Sequence, residues 1–85
     1  MIPFAIRLSN NAKAEFAKLP SDVQQRIIYK LTFAQANPFR FFSRLKSRPD
    51  YKLRVGDYRV IVDIKQTERI IDVNRIGHRR NVYKD

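Results

Sequence analysis

The sequence predicts an α+β domain in which an N-terminal strand and a helix hairpin pack on one face of a mostly antiparallel sheet. The first observation behind this is a change of period. Apolar residues recur at helical spacing between residues 12 and 34 and alternate from residue 51 onward. The second is length: 85 residues leave room for one hydrophobic core, so residues 1–85 are read as a single domain. The third is composition, because 44% hydrophobic and 12% aromatic residues supply the apolar surface that a disordered chain lacks.

Each element follows in order. Residues 3–8 alternate as a short strand with Phe4, Ile6 and Leu8 on one side, and Ser9-Asn10-Asn11 provide capping chemistry for a helix. Ala12, Phe16 and Leu19 form one apolar stripe that stops at Pro20, which suits the first turn of a second helix. Val23, Ile27, Leu31 and Ala34 continue that second helix to about Gln35, with Ile28 and Tyr29 widening its apolar face. Asn37-Pro38 is expected to close it. A less regular stretch at 39–46 and a turn at Ser47-Arg48-Pro49-Asp50 lead into a strand at 51–55, where Tyr51, Leu53 and Val55 oppose Lys52 and Arg54. Gly56-Asp57 fits a tight turn into Tyr58–Ile64, which sets Tyr58, Val60, Val62 and Ile64 against Arg59, Ile61 and Asp63. After a turn at 65–68, residues 69–76 read as the last strand, followed by Gly77-His78-Arg79-Arg80-Asn81-Val82-Tyr83. With helices on one face, Lys52, Arg54 and Arg59 project together from the other.

Charge narrows the class of partner. Eighteen Lys and Arg against eight Asp and Glu give a net charge of +10, which favours a polyanion and places nucleic acid first. Residues 1–38 carry a net +3 and residues 39–85 a net +7, so the basic surface belongs to the second half. The absence of cysteine excludes a disulfide framework, a thiolate zinc site and cysteine nucleophily, and a single histidine excludes a histidine-rich metal cluster. With only Gly56 and Gly77 there is no phosphate-cradling glycine loop. No run approaches a membrane span and residues 1–4 do not resemble a signal peptide, so a cytoplasmic location is expected, with no metal and no cofactor.

The residues best suited to chemistry are Lys52, Arg54, Arg59, Arg79 and Arg80, with Tyr58 and Tyr83 nearby. Cations interleaved with aromatic rings fit the phosphates and bases of unpaired RNA. Strand positions that face water also commonly carry Lys or Arg, and a terminal ring such as Tyr83 also fits core packing. The carboxylates fit turn and strand positions, whereas His78 is the one side chain suited to proton traffic near neutrality, or to contact with phosphate.

Residues 51–61, YKLRVGDYRVI, followed by residues 76–83, IGHRRNVY, resemble the RelE branch of the RelE/ParE toxin superfamily. The helix hairpin with Leu19-Pro20 at its corner and Leu45-Lys46 before the basic strand are similar too, so the likeness spans the chain. It implies a small RelE-like toxin domain from a type II toxin–antitoxin system. The activity implied is a ribosome-dependent endoribonuclease (mRNA interferase) that cuts messenger RNA in the ribosomal A site without metal, inhibiting translation. The ribose 2′-hydroxyl would attack the adjacent phosphate, leaving a 2′,3′-cyclic phosphate and a 5′-hydroxyl. By matching motifs, Lys52 is expected as general base, Arg59 on the scissile phosphate, Arg79 at the transition state or leaving group, and Tyr83 stacked on a base. Arg54, His78 and Arg80 are expected to bind RNA, with His78 the rival acid or base. Arg54 departs from the lysine found in some members and, since arginine stays charged, is read as phosphate-binding. The implied partners are the ribosome, messenger RNA and a RelB-like antitoxin whose acidic segment wraps the domain in a hetero-oligomer. Two rivals stand beside this: a ParE-like toxin that inhibits DNA gyrase, and a non-catalytic nucleic-acid-binding module.

Overall fold

The computed structural model describes residues 2–46 and 48–81. Tyr83 and Ser47, both singled out from the sequence, lie outside the described residues. The chain runs β1 (Ala5–Leu8), α1 (Asn10–Ala17), α2 (Ser21–Ala34), α3 (Pro38–Phe41), β2 (Ser43–Arg44), β3 (Tyr51–Val55), β4 (Tyr58–Lys65) and β5 (Ile70–His78). The strands form one sheet in the order β1-β5-β4-β3-β2, antiparallel except for the parallel β1–β5 pair. This is the expected α+β architecture.

Local chemistry explains the element boundaries. Ser9 caps α1, its Oγ accepting the Ala12 amide at 3.0 Å, which satisfies one of the donors left open at a helix start. Pro20 sits at the N-cap of α2 rather than in its first turn. The stripe Val23, Ile27, Leu31 and Ala34 is buried as the spacing requires. Ile28 and Tyr29 do not widen the buried face: they are 53% and 66% exposed, because the stripe alone covers the sheet. Helix α2 ends at Ala34, ahead of Asn37-Pro38 as expected, but helical structure resumes at once. Pro38 opens α3, since a proline at the first helical position gives up only an amide that would have had no partner there. Gly56, at φ +60°, is the first central residue of the two-residue turn joining β3 and β4, a conformation that an L side chain resists.

The core is the interface of the helices with one sheet face. Phe4, Ile27 and Leu31 meet Leu53, Val55, Val60, Val62, Ile71, Val73 and Ile76, each contributing roughly 1.5–3 kcal/mol by leaving water. Ile61 and Leu45 are buried at 0% and 3% exposure yet lie outside this core. β5 extends two residues beyond the expected Ile76, through Gly77 to His78, and carries a bulge at Asn74, between Val73 opposite Val62 and Arg75 opposite Ile61.

Candidate nucleic-acid interface

The two-residue turn at Gly56-Asp57 fixes the β3–β4 register and with it the cation geometry. Arg54 stands opposite Arg59, and Lys52 opposite Ile61. Across β4, Arg59 stands opposite Gly77 and Ile61 opposite Arg75. Lys52, Arg54 and Arg59 therefore occupy adjacent rows of the helix-free face, as strand alternation predicts. Arg54 is exposed, Lys52 and Arg59 are half-buried, and the Nε of Arg59 is closed off from solvent. Gly77 offers no side chain opposite Arg59.

Arg79 joins the end of this arrangement. Its amide donates to the Asp57 carbonyl at 2.9 Å, carrying the β4–β5 pairing one step past Tyr58 and His78. That bond holds Arg79 at the β3–β4 turn, two residues along from Gly77, while the side chain stays exposed. Arg80 is exposed in the turn that follows, its amide donating to the His78 Nδ1 at 3.2 Å.

His78 is not brought to this face. Because β5 continues through Gly77, alternation turns His78 to the helix side beside its partner Tyr58, and the two rings meet edge to face with centroids 5.5 Å apart. The fold thus assembles Lys52, Arg54, Arg59 and Arg79 and separates His78 from them.

The face is electrostatically divided. Asp63 and Asp72 stand opposite each other toward the β1 side. Asp72 accepts from Arg7 at 2.6 and 3.0 Å and pairs with Lys65 at 3.2 Å. The Arg7 hydrogen bonds hold the Asp72 carboxyl below its usual range and raise the Arg7 guanidinium, so this carboxylate is committed to its own cations. Among the described residues, the rows containing Lys52, Arg54 and Arg59 include no acid. An anion arriving there meets excess positive charge. No group of three or more His, Cys, Asp or Glu suited to a metal ion occurs among the described residues, and no helix among them is long and apolar enough to cross a membrane.

Sequence reasoning missed Tyr29, Lys30, Phe33, Arg40 and Phe41, which line a groove beside Lys52 and Arg54. The available signal was the i, i+4 spacing of Tyr29 and Phe33 off the buried stripe of α2.

Comparison with solved structures finds the same fold in the RelBE2 toxin–antitoxin complex of Mycobacterium tuberculosis, with TM-score 0.81, 21% identity, and coverage of 92% of this chain and 100% of that one. The intact Escherichia coli RelBE complex gives TM-score 0.77 at 21% identity, covering 88% and 95% of the two chains. The archaeal RelE–RelB complex of Pyrococcus horikoshii gives 0.78 at 18%, covering 95% and 100%. No curated protein matches. The family model that matches, over residues 6–83, is that of the ParE toxin of the type II toxin–antitoxin system parDE. A match over nearly the whole chain, on a fold shared with RelE toxins, makes this chain a type II toxin–antitoxin toxin of the ParE toxin family, within the RelE/ParE superfamily.

Proposed function

We propose that this toxin is a metal-independent endoribonuclease acting in the cytoplasm, cutting messenger RNA in the ribosomal A site and so inhibiting translation. The observation that carries the reading is the acid-free pair of rows holding Lys52, Arg54 and Arg59, with Arg79 at their end. Phosphoryl transfer through the 2′-oxygen needs a proton acceptor and fixed positive charge on the phosphate as negative charge builds there. Lys52 is the one member of the set able to give up its own proton and then accept another.

In this scheme the 2′-hydroxyl passes its proton to Lys52 as the 2′ oxygen bonds to phosphorus. The bond from phosphorus to the 5′ oxygen breaks, and that oxygen takes up a proton from solvent. The products are a 2′,3′-cyclic phosphate and a 5′-hydroxyl. Arg59 holds the non-bridging oxygens, Arg54 and Arg80 hold flanking phosphates, Arg79 offsets charge on the departing oxygen, and Tyr83 stacks on a base. The opposite orientation of His78 favours Lys52 as the base. A RelB-like antitoxin fits as partner, because an acidic amphipathic segment would mask the cationic rows and offset much of the +10 charge.

Primer extension on a translated messenger with purified ribosomes tests this. Ends at the A site are expected only when ribosomes are present, and Arg59→Ala and Arg79→Ala should each lower cleavage more than tenfold, at least ~1.4 kcal/mol of transition-state stabilisation. Parental cleavage rates in both variants would move the site elsewhere. The ParE family match favours a second reading, in which the target is DNA gyrase. Intact messenger together with loss of gyrase supercoiling would select that one.

A further inference from the structure

The basic face continues around the edge of the sheet. β2 pairs only Ser43 and Arg44 with β3, so among the described residues the outer edge from Leu53 to Val55 has no neighbouring strand. α2 runs beside this edge, and Lys30 Nζ donates to the Arg54 carbonyl at 3.3 Å. A groove of about 430 Å³ opens between them. Tyr29, Phe33 and Phe41 line it together with Lys30, Arg40, Lys52 and Arg54, and no acidic side chain among the described residues does.

Nothing in the fold asks for aromatic residues here. The core stripe of α2 is Val23, Ile27, Leu31 and Ala34, whereas Tyr29 and Phe33 are 66% and 52% exposed. Their rings stand edge to face at 4.9 Å, one helical turn apart. Cations around exposed rings are the combination that binds single-stranded nucleic acid, the rings stacking on bases and the cations following the backbone. The volume lies in the ~300–1,000 Å³ range of small-ligand sites and so suits one nucleotide rather than several.

We propose that this groove is a subsite for one unpaired nucleotide flanking the phosphate bound by Lys52, Arg54 and Arg59. The proposal rests on the endoribonuclease reading above. The base stacks on Phe33, whose ring stands nearly perpendicular to that of Tyr29, and Lys30 and Arg40 meet the neighbouring phosphate. An added peptide strand fits poorly, because Lys30 already occupies the Arg54 carbonyl and the open edge spans only Leu53 to Val55. Charge complementarity likewise selects a polyanion over an uncharged apolar partner.

The test is binding, kept separate from cleavage. The full chain is titrated with a fluorescein-labelled 2′-O-methyl RNA hexamer, which cannot be cut because its 2′ oxygens are blocked, and anisotropy is read at fixed salt. Phe33→Ala and an abasic nucleotide at one position are each expected to weaken binding about fivefold to a hundredfold, the amount that one stacked base represents. Combined, they should lose no more than either alone, while Phe33→Tyr restores affinity and Ile28→Ala, exposed on the same helix, leaves it unchanged. Equal affinity of Phe33→Ala and parent, or additive losses in the combination, would overturn the subsite. So would failure of the parent to bind the hexamer, and A-site cleavage measured in parallel then decides whether the endoribonuclease reading falls with it. If Phe33→Ala abolishes binding of an acidic amphipathic peptide but not of the hexamer, the groove is a protein-docking surface and the proposal fails.

Discussion

Arg54 and Arg59 oppose each other directly across β3 and β4, a like-charge pair that opposes folding by up to about 1 kcal/mol at low salt. A fold under no other demand has no reason to keep it. Arg54→Thr is therefore expected to raise the urea midpoint in low salt, with the gain shrinking as salt screens the pair, and to weaken RNA binding. Unchanged or lower stability at low salt would remove the repulsion argument. These positions were legible in the sequence because a two-residue turn at Gly56-Asp57 leaves alternation only one outcome for Lys52, Arg54 and Arg59. His78 was not, because Gly77 looks like a stop although the strand runs through it. The burial of Ile61 was not legible for a related reason: alternation assigns a side chain to a face and says nothing about what covers that face.

Among the elements, α1 performs a task that its sequence does not announce. β1 ends where Leu8 pairs with Val73, which leaves the next part of β5 without a strand on that side. The Ser9 amide and Oγ donate to the carbonyls of Val73 and Asn74, and the Glu15 carboxylate accepts the Ile76 amide at 2.8 Å and Arg75 Nε at 3.1 Å. Glu15 thus completes the ladder just beyond the bulge. Glu15→Ala should cost about 1–3 kcal/mol in urea unfolding, toward the low end because the site is only half-buried, and Glu15→Gln should cost less by keeping an acceptor for Ile76. Equal losses in the two variants would mean that the carboxylate charge, and not the acceptor, matters. Helix α1 itself was legible from its cap and stripe. Its contact with β5 was not, since nothing local tells Glu15 which backbone amide it will meet. α3 was missed because proline both ends one helix and begins the next.

At the scale of the whole molecule, the order of elements was legible and their order in the sheet was not. Periodicity reports that a segment is a strand, but β1 reaches its sheet neighbour β5 across a separation of 65 residues, as in Arg7 and Asp72. Such pairings lose loop-closure entropy before any contact returns it, so refolding followed by far-UV circular dichroism should be slower than that of a helical bundle of equal length. A chain ending at Lys65 should show no cooperative urea transition, since β4 would lack β5 and β1 would lack any partner. A cooperative transition in that fragment would mean that β2, β3 and β4 form a unit on their own. Synthesis runs from the N-terminus, so Lys52, Arg54 and Arg59 are all made before the strand that completes the sheet around them. A nascent chain therefore lacks Arg79 beside these cations until β5 inserts between β1 and β4. The interface is a late product of translation, absent for most of the time that the chain is being made.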